Sequence, residues 1–126
     1  MVTWILWALI LAMLAWMGFN YLRIRRAAKI VDNEEFESLI RTGQLIDLRD
    51  PAEFHRKHIL GARNIPSSQL KTSLAALRKE KPVLLYENQR AQRVTNAALY
   101  LKKQGFSEIY ILSYGLDSWK GKVKTN

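Results

Sequence analysis

The stretch Lys81-Pro-Val-Leu-Leu-Tyr-Glu-Asn-Gln-Arg-Ala-Gln-Arg93 decides the fold. Val83 to Tyr86 is a short continuous apolar run, the pattern of a strand buried on both faces, and Val94 to Gln104 reads as a helix stopped by Gly105. A buried strand running straight into a helix is half of a βαβ unit and implies a parallel sheet. Ligand sites in such sheets lie where strand carboxyl ends meet helix N-termini, so the loop from Glu87 to Arg93 is the expected place for chemistry.

Working outward, Lys29-Ile-Val31 predicts a strand. Asp32 with Glu35 three residues later predicts a capping box opening a helix to about Arg41, ended by Gly43. Leu45-Ile-Asp-Leu48 predicts another strand. Asp50-Pro-Ala-Glu53 supplies an N-cap, a proline at the first helical position and an acid in the first turn. Gly61, Pro66 and Ser67 or Ser68 punctuate the way to a predicted helix with Leu70, Leu74 and Leu77 on one face, and Ile109 to Leu112 is the last strand. The fold class expected is α/β: a small, mainly parallel sheet with helices on both faces, preceded by one transmembrane helix. Three regions follow: a membrane helix over 1–22, a short basic linker over 23–28 and a domain over 29–126.

Val2 to Leu22 contains no charged side chain, and only Thr3 and Asn20 are strongly polar. A helix of this length spans about 31 Å, the thickness of the hydrocarbon core. Its Leu, Ile, Val and Phe residues favour insertion by about 3 to 5 kcal/mol in sum. The apolar residues run all round the helix, so a soluble fold would have to enclose it completely, which a domain of this size cannot do. No basic residue precedes the run and no A-x-A site follows it, which argues against a cleaved signal peptide. Arg23, Arg25, Arg26 and Lys29 lie only on its C-terminal side. The positive-inside rule therefore expects a single-pass cell-membrane protein with its N-terminus outside and its C-terminal domain in the cytoplasm, those four residues being lipid contacts.

The formal net charge is +9. Much of the excess sits in that juxtamembrane cluster, and the other Lys and Arg are dispersed among acids without an RNA or DNA motif, so the membrane and not a nucleic acid is the expected anionic partner. The chain contains no cysteine, which removes thiolate metal sites and every thiol mechanism. His55 and His58 stand at i, i+3, yet no further His or Cys completes a metal site, so neither metal nor cofactor is expected.

Taken as a set, Leu45-Ile-Asp-Leu-Arg-Asp-Pro-Ala-Glu-Phe54, His58-Ile-Leu-Gly-Ala-Arg-Asn-Ile-Pro66, Tyr100-Leu-Lys-Lys-Gln-Gly-Phe106 and Gly115-Leu-Asp-Ser-Trp119 resemble the rhodanese-like domain, in particular the small anchored members of Gram-positive bacteria. The resemblance covers residues 29 to 121. In active relatives the loop after the central strand reads Cys-x-x-Gly-x-Arg followed by Ser or Thr, and its inward N–H groups cradle a persulfide or an anionic substrate. Aligning strand ends puts Glu87 at the Cys, Arg90 at the Gly, Gln92 at the Arg and Arg93 at the hydroxyl residue. Sulfur transfer passes through a covalent persulfide that a carboxylate cannot form, and the thiol-dependent phosphatase and arsenate reductase activities of related folds fail for the same reason.

The degenerate loop is therefore Glu87, Asn88, Gln89, Arg90, Ala91, Gln92 and Arg93. Glu87 reads either as a carboxylate recognising a basic group on a partner or as a strand-end residue neutralised by Arg49, Arg90 or Arg93. Arg90 and Arg93, near a helix N-terminus, admit an anionic ligand or acidic peptide. The resemblance makes Asp47, Arg49, Glu53 and His58 loop supports: Arg49 and Glu53 are spaced for an ion pair, and His58 is expected to hydrogen-bond its own loop. Phe106 and Trp119 are expected in the core. The function expected is that of a catalytically inactive binding or scaffolding module with an unknown protein partner. Two alternatives stand beside it: a group-transfer enzyme with a non-Cys nucleophile, and a membrane assembly factor acting through its helix.

Overall fold

The computed structural model describes residues 1–88 and 92–125, with the backbone alone of 24–26. Helix α1 (Val2–Ala27) opens the chain, and no residue of its membrane-length part, Val2–Arg23, is buried. It is one helix long and apolar enough to cross a bilayer. The helix does not stop at Leu22: it runs through most of the segment expected as a linker, and Ala27 and Ala28 are already buried against the domain. Arg23 to Ala27 carries no Gly or Pro to break it, so the 3.6-residue pattern simply continues.

Strand β1 (Lys29–Val31) follows, then α2 (Asn33–Leu39), where the Asp32 carboxylate accepts the Glu35 N–H at 2.9 Å and caps the helix. The remaining elements are β2 (Gln44–Asp47), α3 (Pro51–Arg56), β3 (Lys57–Ile59), β4 (Arg63–Asn64), β5 (Val83–Tyr86), α4 (Gln92–Lys103), β6 (Ile109–Leu112) and β7 (Val123–Thr125). Five strands pair in parallel in the order β1-β6-β5-β2-β4, while β3 and β7 form a separate antiparallel pair. β5 sits at the centre, buried at every position, and delivers Glu87 to the sheet's carboxyl edge.

The core has two layers. On one face Leu85, Ile46, Ile111 and Phe106 pack beneath Val94, Ala97, Ala98 and Leu101 of α4, together with Ala28, Leu70 and Leu77. On the other, Leu84, Tyr86, Val31 and Leu112 pack with Phe36, Ile59 and Leu116, and Trp119 meets Phe36 edge-on at 5.8 Å. α4 lies between two neighbours, touching the end of α1 and also the 3₁₀ segment Ser67–Gln69. It ends at Gly105, whose φ of 101° lets Phe106 N–H reach back to Leu101 O at 3.1 Å.

The helix expected through Leu70, Leu74 and Leu77 is instead two 3₁₀ segments, Ser67–Gln69 and Lys71–Ala76. The leucines still turn inward, but Ser67, Ser68, Thr72 and Ser73 are weak helix formers, and Thr72 Oγ1 donates to Gln69 O at 3.0 Å. Asp50 flanks α3 as expected, yet its side chain makes no cap bond. Strands β3, β4 and β7 were not legible in the sequence. They are two or three residues long and largely polar, too short for a period-2 pattern.

Candidate functional site

The carboxyl edge of the sheet is organised around two buried charges. Asp47, the last residue of β2, is fully buried, and Arg49 two residues on is 4% exposed. The Arg49 guanidinium meets the Asp47 carboxylate through Nε at 3.1 and 3.2 Å and Nη2 at 2.8 Å, while Arg49 N–H donates to the same carboxylate at 2.9 Å. Nη1 continues to Asn88 Oδ1 at 3.0 Å and Nη2 donates to Lys57 O. Burial alone would lower the Arg49 pKa, but the hydrogen bonds and charge of Asp47 outweigh it and hold the pKa above its usual value. This guanidinium is structural glue: it ties β2, the start of β3 and the loop after β5 into one block.

That arrangement corrects the expected Arg49–Glu53 pair. Arg49 turns to Asp47, and Glu53 Oε2 instead accepts from Asn88 Nδ2 at 3.5 Å. Two further participants were not among the expected site residues. Asn64 Nδ2 donates to Asp47 O at 3.2 Å and to Arg49 O at 2.9 Å, and the Tyr86 hydroxyl accepts Ile59 N–H at 3.1 Å. Burial, then the charge and hydrogen bond of Asp47, raise the Tyr86 pKa and keep that phenol neutral. The Asn-Ile-Pro motif was the available signal for Asn64. His58 Nδ1 lies 2.7 Å from Phe54 O with its ring stacked on Phe54 at 3.8 Å, so this imidazole belongs to its own corner.

Glu87 follows β5 directly and is 7% exposed. Its Oε2 accepts the Val94 N–H at 3.1 Å, one of the donors that the first turn of α4 leaves unpaired, and Oε1 lies 4.0 Å from Arg93 Nε. Its backbone carbonyl accepts Leu116 N–H at 2.7 Å, and Asn88 O accepts Asp117 N–H at 2.9 Å. The side chain therefore folds back onto the mouth of its own helix. Burial raises the Glu87 pKa, with Asp47 and Glu53 adding to it, while the Val94 N–H and Arg93 oppose the shift. Of the three cations expected to neutralise Glu87, Arg93 stands beside it, Arg49 is committed to Asp47, and Arg90 lies outside the described residues, as do Gln89 and Ala91. Gln92, exposed, donates to Asn96 Oδ1 at 2.9 Å.

Two cavities reach the described ends of the loop, one at Asn88 and one at Arg93. One, about 280 Å³, lies between α3 and the loop and is lined by Arg49, Glu53, Arg56, Lys57, Asn88 and Asp117, with Leu116. The other, about 240 Å³, lies between α4 and the 3₁₀ segments. Among the described residues no group of three His, Cys, Asp or Glu is placed to hold a metal ion. Of the juxtamembrane cations, Lys29 pairs with Glu35 at 3.3 Å, Arg23 is exposed, and the side chains of Arg25 and Arg26 lie outside the described residues.

A parallel sheet with this strand order, a corner fixed by Asp47 and Arg49, and a loop joining the central strand to a helix define an α/β domain of known type. The model of the Rhodanese-like domain matches residues 32–122, and the chain belongs to that family. The uncharacterized protein YqhL of Bacillus subtilis is 46% identical over 113 residues, covering 90% of this chain and 89% of its own length. Thiosulfate sulfurtransferase GlpE of Stutzerimonas stutzeri is 34% identical over 95 residues, which cover 73% of this chain and 84% of that protein. Among solved structures, a full-length protein from Lactobacillus plantarum superposes with a TM-score of 0.70 at 22% identity, covering 91% of this chain and 98% of its own. That likeness concerns the fold. With no cysteine in its sequence, this chain has no thiol on which a persulfide could form.

Proposed function

We propose that the protein is a membrane-anchored, catalytically inactive rhodanese-like domain that serves as a binding or scaffolding module at the cytoplasmic face. One observation carries this reading: the group at the end of β5 is a buried carboxylate already engaged by the first-turn N–H of α4. The side chain at the position of the sulfur-carrying Cys binds its own chain. Sulfurtransferase names among the relatives bear on the ancestry of the site, and the substitution at position 87 removes the chemistry they need.

What remains for a partner is the cavity beside α3, with the exposed Arg56 and Lys57 at its edge and Glu53 and Asp117 among its lining groups. Mixed charge on a rigid frame suits a polar protein surface. α1 supplies attachment, and the cations that follow its apolar run favour the domain on the cytoplasmic side.

The test is site-specific photocrosslinking from position 56 of the full chain in its own membrane, with α1 either native or replaced over 2–22 by poly-Leu. The scaffold reading expects the same crosslinked band from both. A band lost on the poly-Leu exchange assigns the function to the helix and overturns the reading.

A further inference from the structure

The second cavity has a lining of one electrical sign. Arg93, Asn96 and Tyr100 stand at i, i+3 and i+7 on one side of α4, and Ser67, Ser68 and Lys71 face them from the 3₁₀ segments. Leu70 and Ala97, both buried, complete the lining. Among the described residues no carboxylate lines the cleft.

Each polar group is a donor held in reserve. Lys71 Nζ sits over the Tyr100 ring, 5.6 Å from its centroid, a contact that places the ammonium at the cleft without neutralising it. Arg93 has a half-exposed side chain, 52%, and its one acidic neighbour among the described residues is Glu87 at 4.0 Å, too long for a committed hydrogen bond. Asn96 spends its oxygen on Gln92, which leaves its amide hydrogens as donors. Among the described residues neither Ser67 nor Ser68 uses its hydroxyl in a hydrogen bond. Two cations with hydroxyl and amide donors around about 240 Å³ match a phosphate oxygen cluster in charge, donor number and size.

We propose that this cleft between α4 and residues 67–71 is a phosphate-binding site, which takes the phosphate of a lipid headgroup or of a small soluble phosphomonoester. The site is independent of the scaffold reading, because it shares no lining residue with the cavity beside α3 and uses neither Arg49 nor Arg56. α4 touches both α1 and the 67–69 segment, so an occupied cleft braces a helix that also contacts α1.

The experiment uses the full-length ¹⁵N-labelled chain in nanodiscs of zwitterionic phosphatidylcholine. Glycerol 3-phosphate is titrated in one arm, and phosphatidic acid replaces part of the lipid in the other. The proposal expects saturable amide shifts at Ser67, Ser68, Lys71, Arg93 and Asn96 in at least one arm. The responding arm identifies the source. Lys71→Gln and Arg93→Gln should each weaken that response by about tenfold or more, Lys71→Arg should largely restore it, and Arg56→Gln should leave it unchanged. Both mutated positions are exposed, so the fold is not at stake. Shifts reproduced by sodium chloride at equal ionic strength, shifts centred on residues 49–57, or no cleft response in either arm would overturn the proposal.

Discussion

Glu87 is held by two opposing demands. Burial disfavours its charge, while the Val94 N–H and Arg93 favour it, and the balance leaves its pKa raised. A group that binds its proton more tightly folded than unfolded makes stability fall as pH rises from the ordinary Glu value through the folded one. Glu87→Gln keeps an acceptor for Val94 N–H and removes the charge. Thermal unfolding of the full chain in detergent, followed between about pH 4 and pH 7, should therefore show the Gln variant at least as stable as wild type near neutrality, with a flatter pH profile. A Gln variant that melts well below wild type at pH 7 would mean that the Arg93 pair outweighs the burial cost. Arg49 predicts the opposite sensitivity. Arg49→Ala would strand the fully buried Asp47 carboxylate without its partner, a change that costs about 3 to 5 kcal/mol in comparable cases and should lower the denaturation midpoint sharply. These roles were unevenly legible in the sequence. Position 87 announced itself as a strand-end substitution, whereas the pairing of Arg49 depended on backbone direction after β2, which helical spacing to Glu53 could not reveal.

The central strands, α4 and the three-residue β1 lie where the sequence places them, whereas the short polar strands β3, β4 and β7 do not show in it. β5, β6 and α4 carry runs or periods that only one structure satisfies, so their positions agree with expectation to within two residues. The Leu70, Leu74, Leu77 pattern expressed the need to bury leucines but not the helix type. Serines and a threonine tipped the backbone to 3₁₀, and this shape sets the wall of the cleft against α4. The continuation of α1 to Ala27 also changes the account of the basic cluster. With Lys29 paired to Glu35, Arg23, Arg25 and Arg26 remain as the expected lipid contacts, worth roughly 1 kcal/mol each near an anionic leaflet. A fragment beginning at residue 23 should bind anionic vesicles weakly and lose that binding in high salt or when these three are changed to Gln. Equal binding to neutral vesicles would contradict the lipid role.

At the scale of the whole molecule a membrane-length helix leads into a rhodanese-like head in which Glu87, at the end of β5, bonds to the first turn of α4. A reporter fused after residue 126 should be active only in its cytoplasmic form, because the cations follow the apolar run. Activity only in an exported form would reverse the orientation. Catalysis, by contrast, needs more than one restored atom. An unactivated thiol with pKa near about 8.5 is only a few per cent thiolate at pH 7, and each misplaced oxyanion donor costs about 2.7 to 4 kcal/mol, roughly a hundred- to a thousandfold in rate. Glu87→Cys alone should stay near background, with a measurable gain only when Arg90→Gly, Gln92→Arg and Arg93→Ser accompany it. The most direct test of the central claim is thiosulfate:cyanide sulfurtransferase turnover by the unmodified full-length protein, purified with its membrane helix and compared with a buffer blank. The rate should be indistinguishable from the blank; turnover that saturates with thiosulfate and scales with protein concentration would show the domain to be an active sulfurtransferase.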